Sequence, residues 1–134
     1  MTDDNRCTNI ADEIARAQQA LQAAEALRSL GLNADSVSRA YYALLHILRA
    51  LLLSRGVEPR IHAGALHLFN TELVRPGHFS SAHNRVLASV QRARELADYD
   101  AAIVFSGEDA QAHLDDTRAF ITLALDFLTR EGWT

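Results

Sequence analysis

A line of mostly polar side chains runs along residues 35–53. Its members are Asp35, Arg39, Tyr42, His46, Arg49 and Leu53. Steps of three and four residues place them on one face of a helix, because a helical turn takes 3.6 residues. Histidine exchanges protons near neutral pH, and the planar fork of arginine binds phosphate oxygens in pairs. Arg39 and His46, almost two turns apart, are therefore the best candidates for phosphate chemistry.

Metal-free cleavage of RNA is one reaction that this pair could carry out. It needs a base for the 2′-hydroxyl proton, an acid for the leaving 5′-oxygen and a cation for the negative charge on phosphorus. The line supplies one histidine per chain, so two copies of His46 would have to meet. The small residues Ala40, Ala43 and Ala50 flank the line and favour close approach of a second copy. We predict a homodimer with Arg39 and His46 in the cleft between subunits.

The same face also has a plainer interpretation. A solvated helix surface often carries ion pairs at steps of four, and Asp35 with Arg39 would contribute about 0.3 kcal/mol. Spacing alone leaves both interpretations open.

Apolar residues at steps of three and four predict the helices that position this face. Helix one is expected to end at Gly31, and a cap on Asn33 or Asp35 should begin helix two. Gly56 and Pro59 should end helix two, the central helix. The predicted inward residues are Ile10, Ile14, Ala17, Leu21, Ala24 and Leu27 in helix one, and Val37, Tyr41, Leu44, Leu48 and Leu51 or Leu52 in helix two.

Three further helices follow. Helix three is predicted from near Arg60 to the turn at Pro76-Gly77, and helix four from a cap on Ser80 or Ser81. The last long helix is expected to begin after Ser106. The inward residues are Ala65, Leu66, Phe69 and Leu73 in helix three, Val86, Leu87, Val90, Ala93 and Ala97 in helix four, and Leu114, Thr117, Ile121, Ala124 and Leu128 in the last helix.

Length and composition predict one domain. The 134 residues are 49% hydrophobic, which suffices for a single core. We find no alternation typical of strands and no repeat. The prediction is an all-α, up-and-down bundle of about five helices over residues 9–131, preceded by a flexible N-terminus at residues 1–8.

The charge balance and residue types narrow the possible partners. A net charge of −4 provides no global attraction to nucleic acid, so any RNA contact must be local. All 13 basic residues are arginine, which excludes a catalytic Schiff-base lysine. The absence of Glu-x-x-His and Asp-x-x-His disfavours a dimetal bundle, and no Cys-x-x-Cys or Gly-rich phosphate loop is present, so we predict no metal site and no cofactor. The single Cys7 and the lack of a long apolar run predict a cytoplasmic protein without a membrane partner.

Three segments resemble the prokaryotic HEPN family. Residues 38–46 read Ser-Arg-Ala-Tyr-Tyr-Ala-Leu-Leu-His, which is similar to the family's helix-two pattern Ser-Arg-x-Tyr-Tyr-Ala-x-x-His. Residues 59–64 resemble the start of the family's third helix, and residues 94–99 resemble its Arg-x-x-Ala-Asp-Tyr signature. The segments occur in the family's order, and the likeness spans roughly residues 10–130.

The family's short motif is an arginine followed, after four to six residues, by a histidine. Arg39 and His46 fit this motif on an uninterrupted helical face. Two other pairs fit the spacing without such a face, namely Arg55 with His62 and Arg60 with His67.

The resemblance implies a HEPN-like four-helix core, and it implies a metal-independent endoribonuclease that acts as a toxin or defence component. It also implies a two-fold dimer and a nucleotidyltransferase-type antitoxin as partner. Ala40 stands where many nuclease members carry Asn, Asp or His, and Leu48 stands where toxin members often carry Tyr. A second hypothesis therefore stays open: a non-catalytic helical module that binds RNA, a nucleotide or the nucleotidyltransferase.

The supporting or binding candidates are Asp35, Tyr42, His62, Arg94 and Asp98. His62 is expected to support the cleft or to contact phosphate at the start of helix three, and a hydrogen-bonded structural role is equally open. Arg94 and Asp98, four residues apart, are expected to pair with each other or to clamp the following loop through Tyr99. We favour a structural role for these two.

Overall fold

The computed structural model of the chain describes residues 2–58, 64–100 and 102–134. These residues form α1 (Asp3–Ser29), α2 (Asn33–Ser54), a short α3 (Ala65–Phe69) that continues as a π-helical turn (Asn70–Val74), α4 (Ser81–Tyr99) and α5 (Gly107–Arg130). None of them lies in a β-strand. The predicted all-α bundle of about five helices is confirmed.

Helix α2 is the central element of the core. Of its 22 residues, 14 are buried, and it packs against α1, α3, α4 and α5. Burial on several sides explains why α2 has the most continuous apolar sequence of the chain. Every predicted inward residue of α2 and of the last helix is buried, as expected from periodicity. Four rings fill the core beside α2: Phe69, Phe79, Phe120 and Phe127.

Glycines end α1 and α2 as predicted. Gly31 and Gly56 both have φ +78°, a conformation that costs other residues energy because their Cβ atoms crowd the backbone. After each glycine the chain folds back on the helix: Leu32 N donates to Leu27 O, and Val57 N donates to Leu52 O, both at 2.9 Å. These bonds satisfy carbonyls that the last helical turn leaves open.

Two helix starts differ from the prediction. Helix α1 begins at Asp3, well before its apolar stripe, because Thr2 caps it by accepting from Asn5 N at 3.2 Å. Helix α1 therefore extends into residues 3–8, which belong to the segment predicted to be flexible. The mobility of that segment stays a prediction. No side chain caps α2. Asn33 instead donates from its amide to Phe105 O at 3.1 Å, so a tertiary contact takes the place of the predicted cap.

The other caps follow the sequence more closely. Ser80 precedes α4 and Ser106 precedes α5, and Ser106 Oγ accepts from Asp109 N at 3.0 Å. The predicted start of helix three near Arg60 lies outside the described residues. Within the described ranges, no helix is both long enough and apolar enough to cross a membrane.

Candidate functional site

The small residues of α2 are buried inside the bundle of the same chain. Ala40, Ala43 and Ala50 are at most 1% exposed, and Ala40 lies in one apolar cluster with Ala24 of α1 and Leu114 of α5. Small side chains let two helix backbones approach closely, and here the neighbouring helix is intramolecular. The prediction that these alanines receive a second copy is therefore wrong, because all three are already buried within the chain.

Helix α1 leaves part of the polar line open. Arg39 is exposed, whereas Tyr42 and His46 are half-buried. All three line one open concavity, together with four residues of α1: Arg16, Gln19, Ala20 and Ala23. Leu53, predicted on the same line, is buried in the core. The structure thus brings Arg39, Tyr42 and His46 together at the groove between α1 and α2.

A glutamate that sequence reasoning missed lies against the histidine. Nδ1 of His46 is 2.7 Å from Oε2 of Glu13, and the two side chains are 20% and 13% exposed. Oε1 of Glu13 is 3.4 Å from Nη1 of Arg16. Glu13 lies 33 residues before His46 in the sequence, so only the packing of α1 on α2 reveals the contact. No motif on α1 indicates it.

The protonation of Glu13 reflects these neighbours. Burial acts to raise the pKa of the carboxyl group, but the hydrogen bond from His46 and the charges of His46, Arg49 and Arg16 outweigh burial. The net effect is a pKa of Glu13 below its ordinary value. The carboxylate is therefore ionised at neutral pH and stabilises the contact between α1 and α2.

This shift predicts a pH-dependent loss of stability in Glu13→Gln. Ionised Glu13 stabilises the fold above the pKa it has in the unfolded chain, and the contribution is lost as the pH falls through the lower folded pKa. We expect the variant to melt about 2–4 °C below wild type at neutral pH. The gap should close in acid, as measured by circular dichroism melts across pH.

The same change at Glu25 provides the control. Glu25 also lies on α1 and pairs with Arg118 at 2.6 Å, but both side chains are more than 40% exposed. An exposed pair contributes little, so Glu25→Gln should melt close to wild type at every pH. A constant gap for Glu13→Gln from neutral pH to acid would contradict the assignment.

A second polar cluster lies around Tyr42, on the side of α2 that faces α4. Nε of Arg94 is 2.9 Å from Oδ2 of Asp98, which is the first of the two arrangements expected for these residues. Nη2 of Arg94 donates to the Tyr42 hydroxyl at 3.2 Å, and Ser38 Oγ donates to Asp98 Oδ1 at 2.9 Å. The guanidinium also lies 5.5 Å from the centre of the Tyr99 ring. Arg94 and Asp98 thus tie α4 to α2 and hold Tyr42.

Arg39 and Asp35 do not form the predicted ion pair. Among the ion pairs of the described residues none joins them. The guanidinium of Arg39 lies 4.8 Å from the centre of the Tyr42 ring instead, a cation–π contact. Asp35 lines a different concavity, beside Ile103 and Val104. Asp35 is therefore separated from the Arg39–His46 groove.

Two other expectations concern His62 and metals. His62 lies outside the described residues. Across ranges 2–58, 64–100 and 102–134, no group of three or more His, Cys, Asp or Glu side chains could hold a metal ion. Independence from metals stays a prediction about the reaction.

Comparison with known proteins finds one matching family profile and several proteins of similar sequence. A family profile described as HEPN domain matches residues 10–128. The UPF0332 protein glr0978 of Gloeobacter violaceus is 36% identical over 120 residues, which cover 89% of this chain and 95% of that protein.

Two proteins of Methanocaldococcus jannaschii are also similar. One, named "Putative toxin MJ0605", is 36% identical over 83 residues, which cover 62% of each chain. The other, named "Putative toxin MJ0142", is 29% identical over 115 residues, which cover 86% of this chain and 78% of that protein. The match to glr0978 and the HEPN profile both span most of the helical bundle.

Proposed function

The chain belongs to the HEPN domain family, and on this premise we propose that it is a metal-independent endoribonuclease whose active site is built from Arg39 and His46 of two subunits. The observation that carries the proposal is the shared concavity: both side chains line one open groove, beside the half-buried Tyr42. An arginine and a histidine at one accessible surface are the groups that cleavage of a phosphodiester requires.

The proposed reaction is an internal transfer at phosphorus. One His46 takes the proton from the ribose 2′-hydroxyl as the 2′-oxygen forms a bond to phosphorus. The bond to the 5′-oxygen breaks, and the His46 of the partner subunit, in its charged form, gives that oxygen a proton. Arg39 binds the non-bridging oxygens and stabilises the additional negative charge. The products are a 2′,3′-cyclic phosphate and a free 5′-hydroxyl.

The biological role that we propose is that of a toxin. The two relatives from Methanocaldococcus jannaschii carry that word in their names. A ribonuclease toxin must be held inactive until it is needed, and the family resemblance suggests a nucleotidyltransferase-type antitoxin for this task. The substrate in this proposal is single-stranded RNA, since an open groove between two helices leaves the 2′-hydroxyl of an unpaired nucleotide within reach.

One observation favours the alternative, a non-catalytic module that binds RNA, a nucleotide or the nucleotidyltransferase. Many nuclease members carry a polar residue directly after the motif arginine, and here that position is Ala40, only 1% exposed and packed against Ala24. The site therefore has fewer polar groups than the family's nuclease pattern.

The proposed dimer can be tested by mass and by contact. Light scattering should give twice the mass of a 14.8 kDa chain at micromolar concentration. In a Cys7→Ser background, Gln19→Cys places a thiol at the groove and should form a crosslink between subunits on mild oxidation, because a two-fold cleft brings both copies of the groove together.

Ala112→Cys is the matched control, since Ala112 is exposed on α5 and does not line the groove. It should remain uncrosslinked. A monomer across the micromolar range, or crosslinking through residue 112 rather than residue 19, would remove the composite site.

A further inference from the structure

The contact between Glu13 and His46 has the geometry of a histidine held by a carboxylate. The 2.7 Å separation joins Oε2 to Nδ1, and both side chains are more than three-quarters buried. The two residues lie on α1 and α2, which form the most extensive helix pair of the bundle. The packing of α1 on α2 brings the two side chains together, and the short contact between partly buried groups restrains the orientation of the imidazole ring.

This contact selects one tautomer of the ring. An ionised carboxylate only accepts hydrogen bonds, so the nitrogen that faces it must carry a proton. In the neutral ring that nitrogen is Nδ1, and Nε2 then carries the lone pair. In the charged ring both nitrogens carry protons, and Nε2 holds the one available to a substrate. The same ring orientation therefore serves a base and an acid.

The second oxygen of Glu13 is also occupied. Arg16 Nη1 lies 3.4 Å from Oε1, so a cation on the same helix holds the carboxylate from the other side. Arg49 of α2 adds a further positive charge near it. A carboxylate held in this way keeps its charge directed at Nδ1 instead of turning to solvent.

We propose that Glu13 is the positioning residue of His46: it holds Nδ1–H against α1 and presents Nε2 to the RNA in the Arg39 groove. The catalytic consequence of this role rests on the proposed function, but the tautomer of His46 can be measured without any substrate. Carboxylates that orient a catalytic histidine in acyl-transfer enzymes act by the same physical principle.

The tautomer is read from ¹⁵N–¹H correlation spectra of the ¹⁵N-labelled full chain, recorded at a pH where the ring is neutral. A His46→Gln spectrum assigns the signals, since the chain has six histidines. We expect wild-type His46 to be predominantly the Nδ1–H tautomer. In Glu13→Gln the amide can accept or donate, so this preference should fall at least about threefold. Glu13→Asp, which keeps the charge, should restore part of it.

Cleavage assays supply the second readout. For Glu13→Gln we expect kcat to fall about 10- to 100-fold with KM little changed, because the ring is misoriented while Arg39 still binds phosphate. Glu25→Gln, the same change on an exposed part of α1, should leave both the His46 spectrum and the cleavage rate at wild-type values.

The two readouts separate the two proposals. A wild-type His46 in the Nε2–H tautomer, or a tautomer that does not respond to Glu13→Gln, would overturn the positioning role whether or not the chain cleaves RNA. The wild-type spectrum gives this answer even if the variant fails to fold. The expected tautomer in a chain that leaves RNA intact would support positioning and remove the nuclease proposal.

Discussion

Substituting His46 by alanine is expected to lower RNA cleavage by about two to four orders of magnitude while RNA affinity changes little. In the proposed reaction His46 carries the proton in both halves, and the variant keeps Arg39, the residue that we assign to phosphate binding. Arg39→Ala should reduce both affinity and rate, because in the proposed mechanism its guanidinium binds the phosphate before and during the reaction. Single-turnover cleavage of a labelled single-stranded RNA, with binding measured by fluorescence anisotropy, separates the two effects.

His67→Ala is the matched control for this experiment. His67 is exposed on α3 and belongs to one of the two competing Arg–His spacings. The variant should cleave at the wild-type rate, since His67 does not line the groove. A loss of activity in His67→Ala with full activity in His46→Ala would transfer the site to that other pair.

Metal and pH provide an independent check of the same mechanism. Cleavage by wild type should persist in EDTA, and the rate should rise and then fall with pH, because the two copies of His46 must hold opposite protonation states. If wild type, with its dimer established, leaves a mixed RNA pool intact or cleaves only after addition of a divalent metal, the binding-module hypothesis replaces the nuclease.

Expression of this chain without a partner is expected to arrest or strongly slow bacterial growth. Uncontrolled cleavage of cellular RNA stops protein synthesis, so a modest activity has a large effect on growth. His46→Ala and Arg39→Ala should each restore growth to the empty-vector rate. Growth curves after induction, with equal protein amounts checked by immunoblot, measure the effect.

Arg118→Ala is the control for loss of an arginine. Arg118 lies on α5 and forms exposed pairs with Glu25 and Asp115, so its removal should leave toxicity intact. Equal growth inhibition by wild type, His46→Ala and Arg39→Ala would contradict a toxin that acts through this site.

Local features of the bundle follow from the sequence alone. Apolar spacing predicts which face of each helix is buried, and a glycine that accepts positive φ predicts where α1 and α2 end. The pairing of Arg94 with Asp98 is also local, because residues four apart on a helix are neighbours whatever the rest of the chain does. Periodicity likewise places Arg39, Tyr42 and His46 on one side of α2.

What covers each face was decided by the tertiary structure. The sequence marks Ala40, Ala43 and Ala50 as a surface for close approach, and only the tertiary packing buries that surface within the same chain. Asp35 fits the helical line, yet the bundle places it beside the loop that precedes α5. Side-chain spacing fixes a direction around one helix axis, whereas the partner in that direction depends on every other helix.

The Glu13–His46 contact shows most clearly the difference between what the sequence determines and what the tertiary structure decides. Each residue alone is an ordinary polar member of a helix, and 33 residues separate them. The sequence by itself determined the helical faces, the glycine-marked ends of α1 and α2, and the candidate pair Arg39 and His46. The tertiary structure alone decided that a partly buried carboxylate faces Nδ1 of that histidine, because a contact between helices depends on their relative rotation and register, which no periodicity within one helix encodes.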